Sequence, residues 1–381
     1  TDLVALQYMA INPGKLATPL DSAEQLVSVD AIKRGTFDRQ ISPQALETYS
    51  VTVNCNGNGA CFDWNPDSVM CPSSKVTADR IHSPKGRAGV MREWLRQMTA
   101  SGYDATAPAE PAPLESLLRG REDAPDDFSH EVYDAMNGCL ACKACATQCP
   151  IKVDVPEFRS RFFEHYHTRY RRPLKDYFFA TLEKIIWVLA WFPLLVNAVL
   201  RWSWFSGLLR RWVGIVDSPL LSEETVRRGL RARHAPAYDA AKIARLPAEE
   251  KRRSVLLVQD AFTSFYESNV VLATYDLLTE LGYRVYVLPY RENGKALHVK
   301  GFLRAFRAVA RRNHAFLSAA AATGVPLIGL EPAVTLTYRD EYRHALGDRE
   351  PVPVLLLQEW LAGELAGRRG ELPTLSAPEG G

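Results

Sequence analysis

Four cysteines fall within eleven residues, in the run Cys139-Leu-Ala-Cys142-Lys-Ala-Cys145-Ala-Thr-Gln-Cys149-Pro150. The spacing C-x2-C-x2-C-x3-C-P is that of iron–sulfur ligands. Thiolates are soft donors and suit iron–sulfur cubanes. A short loop with a cysteine at every third position can reach three corners of one cube. The fourth cysteine then points away, and Pro150 turns the chain out of the loop. Zinc and disulfides are the competing readings. Structural zinc usually takes two pairs separated by a longer spacer, which this run lacks.

The other three cysteines form a looser copy of the same pattern: Cys55, Cys61 and Cys71-Pro72. A regular copy would carry a cysteine at position 58, where Asn58 stands, and the spacer before Cys71 is lengthened. In two-cluster ferredoxins the fourth cysteine of each run serves the other cluster. On that rule Cys139, Cys142, Cys145 and Cys71 hold one [4Fe–4S] cluster. Cys55, Cys61 and Cys149 hold a second, with one corner open beside Asn58. A [3Fe–4S] cluster, or a [4Fe–4S] cluster with a non-cysteine ligand, suits that corner. The alternative is one cluster on the intact run, with Cys55, Cys61 and Cys71 as ordinary buried thiols.

Other polar residues give weaker signals. His82, in Arg80-Ile-His82-Ser-Pro-Lys85-Gly-Arg87, follows Cys71 closely and is a candidate for the open corner. Lys85 and Arg87 could stabilise a reduced, more negative cluster or sit at a solvated helix start. His298 and Lys300 read as a solvated helix start, with a pocket beyond the second strand as the alternative. Asp260, Thr263, Ser264 and Tyr266 lie beyond the carboxyl end of the first strand, where open α/β sheets bind ligands.

These residues need elements to hold them. The 381 residues have room for two or more domains, and a net charge of +2 gives no reason to expect nucleic acid. Residues 1–50 read as a lead-in, with a turn at Asn12-Pro13-Gly14-Lys15. Residues 51–175 read as an all-helical iron–sulfur domain. Ser83-Pro84 is a helix start, with Ser as N-cap and Pro at the first helical position. Helices are also expected near 129–137 and 156–169. Residues 176–250 form a connector rich in tryptophan. Within it Ile185–Leu200 is uncharged but broken by Pro193 and Asn197, and a spanning helix wants about 20 apolar residues. Packing on another domain, peripheral membrane contact through 185–212, and a true span are the three readings. Residues 251–362 alternate strands with helices, which implies a parallel sheet. Strands are expected near 255–258, 284–288, 326–330 and 354–357, and helices near 266–281, 299–322 and 338–346. Residues 363–381 read as a flexible tail. The fold class is therefore α+β multidomain: a helical two-cluster ferredoxin-like module, then an α/β parallel-sheet domain. No secretory leader is visible, and free thiols with a cluster motif point to the cytoplasm.

The motifs around the cysteines resemble fused bacterial FAD-linked oxidases, which carry iron–sulfur domains behind a flavin domain. The likeness rests on Cys55-Asn-Gly-Asn-Gly-Ala-Cys61, Met70-Cys71-Pro72-Ser73, His82-Ser-Pro-Lys-Gly-Arg87-Ala88 and the run Cys139–Pro150. Asn12-Pro13-Gly14-Lys15 looks like the close of such a flavin domain. Gln259-Asp260, Gly294-Lys295 and Tyr338-Arg339-Asp340-Glu341-Tyr342 look like the first half of a C-terminal cysteine-rich domain. The sequence departs from the family in carrying no flavin domain and no Cys-Cys-Gly motif, so no flavin or substrate residue can be carried over. The chain is expected to be a piece of something longer.

The resemblance implies an electron-transfer section of an FAD-dependent D-2-hydroxy-acid dehydrogenase. D-2-hydroxyglutarate is the first-choice substrate and D-lactate the second. Its implied partners are an upstream FAD domain of the same polypeptide and an electron acceptor, a quinone or a carrier. The segment alone should not be catalytic. Peripheral contact with the inner membrane stays open. The alternatives are an iron–sulfur subunit of a membrane-associated reductase, of the heterodisulfide-reductase or anaerobic glycerol-3-phosphate dehydrogenase type, and a non-redox scaffold with a structural metal.

Overall fold

The computed structural model describes residues 35–367, except 64, 66, 111, 112, 217 and 348. The turn at Asn12–Lys15 and the tail from residue 368 lie outside the described residues. The principal helices of the first half are α1 (Pro84–Ala100), α2 (Ser129–Asn137) and α3 (Val155–Arg169). Ser83 caps α1 as its sequence implies, its hydroxyl accepting from Gly86 N–H at 3.0 Å. Asp154 caps α3 through Glu157 N–H at 3.1 Å. The three helices meet around Trp94, which is buried and stacks edge-on against Phe162 with ring centroids 5.1 Å apart. Its indole N–H donates to Ser129 Oγ at 3.1 Å, so the ring's one polar group is satisfied.

The connector folds as α4 (Leu174–Leu189), α5 (Pro193–Arg201) and α6 (Ser203–Trp212). Pro193 divides the uncharged stretch, as a proline without an N–H must. No described helix is long and apolar enough to cross a membrane.

The second half holds β1 (Ser254–Val258), α7 (Ser268–Glu280), β2 (Arg284–Val287), α8 (Leu303–Ala321), β3 (Leu327–Gly329), β4 (Val354–Leu356) and α9 (Leu357–Gly367). The strands pair in parallel in the order β2-β1-β3-β4. Alternate residues of β1 feed opposite cores. Leu256 and Val258 join one cluster with Phe306 and Leu317, while Val255 and Leu257 join another with Val271 and Leu278. Burial on both faces is why the strand reads as an unbroken apolar run.

Three expectations shift. The helix expected from 299 begins at Leu303, after a separate turn at Lys295–Val299 and a left-handed Gly301 (φ +68°). The helix expected at 338–346 is two shorter ones, Pro332–Arg339 and Glu341–Ala345. Glu331 accepts from Val334 N–H and Pro332 follows it, a start signal that fixes the earlier origin. Finally, α9 runs into the segment read as a tail, carrying helix through Gly363 to Gly367.

The two halves meet along α3. His298 is buried, not solvated, with Nε2 3.4 Å from Glu157 Oε2. Lys300 pairs with Asp176 at 2.7 Å. Both residues are therefore interface groups, and the solvated-start reading of them is corrected. Gly301 makes the approach close enough. A Cβ there would lie 2.6 Å from Phe163 Cβ and 2.9 Å from Ser160 O. Gly301→Ala is expected to destabilise the protein by about 2 kcal/mol or more, since it combines that clash with a positive φ. Thermal unfolding measures it, and an unchanged melting temperature would show that α3 and the α/β half do not meet there.

Candidate iron–sulfur site

The chain reaches the cysteine run from the end of α2. Cys139 follows Gly138, the C-cap of that helix. Ala141 and Lys143 then take left-handed conformations, φ 55° and 58°. Such positions are costly for residues with a Cβ and cluster at functional sites. Here they turn the loop twice between Cys139 and Cys145. Ala141 N–H donates to Cys139 Sγ at 3.4 Å. A short helix, Ala144–Gln148, carries Cys145 into the core, and Cys149 is its C-cap.

Cys71 arrives from a distant part of the chain. It is buried, left-handed (φ 40°), and caps the helix Pro72–Thr77. Cys71, Cys139, Cys142 and Cys145 line one small cavity. This is the set that the exchange rule selects from spacing alone. Among the described residues, no three His, Cys, Asp or Glu side chains converge on a single-ion position.

Arg87 and Lys143 line the cavity, and the buried Arg159 acts on Cys139 from nearby. Arg87 is fully buried. Its Nε donates to Ala135 O at 2.7 Å and its Nη1 lies 3.7 Å from Cys71 Sγ. Both terminal nitrogens reach Ser73 Oγ at 3.2 Å. Arg87 is thus no solvated helix-start residue. Arg159 is also buried, with Nε on Met136 O at 2.9 Å and Nη1 on Val299 O at 2.6 Å. Burial pushes the Cys139 thiol up, and both arginines oppose that shift. Burial pushes Cys145 up to about 12. These thiols therefore resist ionisation until positive charge arrives, and metal ligation requires thiolates. The four-thiol donor set, the Ala141 N–H on Cys139 sulfur and the buried guanidiniums all fit an iron–sulfur cluster.

Of the remaining cysteines, Cys55 and Cys61 sit near the start of α1. The Cys61 thiol is raised by burial and lowered by Lys85 N–H and the Ser83 hydroxyl, and it couples to Cys55. Lys85 Nζ and the Arg80 guanidinium lie 5.6 and 5.2 Å from the centroid of the Phe62 ring, pinning the loop next to Cys61. Cys55, Cys61 and Cys149 pack on the helical core, as Cys71, Cys139 and Cys145 also do. Asn58 is exposed and serves the turn. Its Oδ1 accepts from Ala60 N–H at 2.9 Å, and its Nδ2 donates to Asn56. His82 presents its carbonyl to Cys71 Sγ at 3.7 Å, while its Nδ1 is buried without a hydrogen bond.

Sequence reasoning missed Lys143. It lies between Cys142 and Cys145, and its ammonium pairs with Asp340 and with Asp154 (3.2 Å) and sits 3.8 Å from Glu341. Burial lowers it, but Glu341, Asp154 and Asp340 together hold it above the ordinary lysine value. The cysteine loop is thereby tied to the α/β half. Arg159 was missed as well, since nothing local marks a mid-helix arginine as buried. The candidates near β1 are dispersed. Asp260 caps the helix Ala261–Phe265, and Thr263 donates to it. Ser264 lines a cavity of about 1010 Å³ at the carboxyl ends of β1 and β2, which no cysteine lines.

Residues 52–153 match the family model described as 4Fe-4S dicluster domain. The chain is similar to proteins named D-2-hydroxyglutarate dehydrogenase. It is 49% identical to that of Pseudomonas putida over 92% of this chain, 46% to that of Pantoea ananatis over 92%, and 44% to that of Escherichia coli K12 over 93%. In each case the match covers 36% of the relative, so the chain spans about a third of the length of these curated relatives. No solved structure matches the chain.

Proposed function

We propose that this chain is the electron-relay section of an FAD-linked D-2-hydroxy-acid dehydrogenase that oxidises D-2-hydroxyglutarate to 2-oxoglutarate. D-lactate is the second-choice substrate. The observation that carries the reading is the convergence of Cys71, Cys139, Cys142 and Cys145 on one cavity flanked by Arg87. The names of the relatives support the substrate.

In this reading those four cysteines hold a [4Fe–4S] cluster. Cys55, Cys61 and Cys149 hold a second cluster of three-iron or four-iron type. His82 stays the candidate for its fourth ligand. Substrate oxidation releases two electrons and two protons, and a flavin accepts the pair. Clusters supply one-electron transfer, which lets a two-electron donor meet a one-electron acceptor. The FAD belongs to a domain outside this chain. The acceptor is a quinone or a carrier protein. The chain's own residues fix the electrostatics. Arg87 and Arg159 place two positive charges in a low-dielectric interior, which favours the more negative, reduced state of whatever the thiolates hold. Lys143 keeps the loop in register with the α/β half. The relatives do not favour the reductase-subunit alternative.

Iron and sulfide analysis after anaerobic reconstitution tests the cluster assignment. More than four of each per chain is expected from seven ligand cysteines. A value of about four would leave a single cluster, and zinc in place of iron would remove the relay altogether.

A further inference from the structure

The connector presents a surface that the relay does not use. Trp187, Trp191, Trp202, Trp204 and Trp212 are 46–65% exposed, and Phe192, Leu194 and Leu195 are exposed beside them. An isolated exposed apolar residue needs no explanation, but these fall along three consecutive helices and the turns between them. They also pair, Trp187 with Trp191 at 6.0 Å and Trp202 with Trp204 at 5.8 Å between ring centroids, and such clustering marks an interaction face. The patch is held in place from below. Asn197 is buried, and its side chain exchanges two hydrogen bonds with the Leu221 backbone, each 2.8 Å. Ile186 packs with Leu221 in a small core. These anchors fix the inward side of α4 and α5, and Trp187 and Trp191, though exposed, also border the cavity at the carboxyl ends of β1 and β2.

Helix α6 has no buried residue at all. Ten-residue helices are marginal in water unless an amphipathic face is packed. Trp204, Leu208 and Trp212 are spaced four apart and lie along one exposed stripe. So α6 needs a cover that the described residues do not provide.

Charge identifies the cover. Between Lys184 and Val216 the chain contains no Asp or Glu, while Lys184, Arg201, Arg210 and Arg211 are all basic. This stretch therefore carries +4 in a chain whose net charge is +2. The three arginines are exposed next to the tryptophans. Tryptophan with arginine on short amphipathic helices suits the headgroup layer of a bilayer. The lengths exclude crossing: α5 and α6, with nine and ten residues, extend about 14 and 15 Å at 1.5 Å per residue, against about 30 Å of hydrocarbon.

We propose that α4, α5 and α6 form a monotopic seat on an anionic lipid surface. The tryptophan and leucine side chains enter the interface, and Arg201, Arg210 and Arg211 meet lipid phosphates. The seat stands on the exposure and charge of the connector alone and does not depend on the relay reading.

The test uses the full-length protein that contains this segment. It is mixed at low salt with vesicles of phosphatidylcholine alone, or of equal parts phosphatidylcholine and phosphatidylglycerol, and sedimented. Binding to the mixed vesicles with a blue shift of tryptophan emission is expected, and little binding to the neutral ones. Replacing Arg201, Arg210 and Arg211 by Gln together should weaken binding roughly a hundredfold, at about 1 kcal/mol per cation near the surface. Trp191→Ser with Trp204→Ser should weaken it as well. These residues are exposed, so the folded protein should survive, and circular dichroism checks this. Failure to sediment with the mixed vesicles overturns the seat. So does binding that both sets of variants leave unchanged. A face that is shielded from acrylamide quenching before lipid is added is covered by the rest of the polypeptide instead, and that result also overturns it.

Discussion

Cys71→Ser is expected to remove about half of the bound iron and to change the electron paramagnetic resonance signal of one centre only. The expectation follows from the cavity that Cys71 shares with Cys139, Cys142 and Cys145. Removing one corner thiolate leaves Arg87 beside a weaker oxygen donor in a buried site. The substitution is small, and Cys71 makes no side-chain capping hydrogen bond to the helix Pro72–Thr77 that its loss would break. Loss of iron would therefore reflect lost ligation more than lost folding. The complementary variant separates the two. Cys149→Ser should spare that signal and alter the other, because Cys149 turns out of the loop as the C-cap of Ala144–Gln148. If Cys71→Ser keeps its full iron and its spectrum, Cys71 is an ordinary thiol and the exchanged assignment is wrong.

Much of this arrangement was legible in the chain, for identifiable reasons. Cysteine spacing is a local property, and it selected the four thiols that the fold gathers. The strands were legible because a sheet covered on both faces leaves unbroken apolar runs such as Val255–Val258. What could not be read was long-range. Nothing near Lys143 announces Asp340, and nothing near His298 announces Glu157. Such pairs depend on how two halves dock, and periodicity is silent on docking. Arg159 looks like a surface residue by type, and only the fold shows it buried; for Arg87 the sequence left a charge near the cluster and a solvated helix start both open, and its burial 3.7 Å from Cys71 Sγ favours the first. Helix α9 was missed because its two glycines lowered its apparent helix content. The tryptophans were noticed at once, but sequence could not decide whether they were packed or exposed. In this structure the five connector tryptophans are 46–65% exposed, and that exposure shapes the argument for a lipid seat.

The relay itself makes the sharpest demand on the full-length protein. Cys142 is the exposed member of its set, so Cys142→Ala removes a thiolate without opening the core. Hydride transfer from a D-2-hydroxy acid to FAD precedes any use of the cysteines, so flavin reduction in a stopped-flow experiment should stay within about twofold of the parent. Reoxidation by the acceptor should slow by about a hundredfold or more, because that rate carries the whole loss. Steady-state turnover should fall with reoxidation. The chain described here, separated from a flavin domain, should oxidise no 2-hydroxy acid, while a dye or flavin reductant should still bleach its visible absorbance. The opposite partition is the decisive outcome. If Cys142→Ala slowed flavin reduction and left reoxidation normal, Cys139 to Cys149 would serve the flavin domain's structure, and electrons would leave by another route.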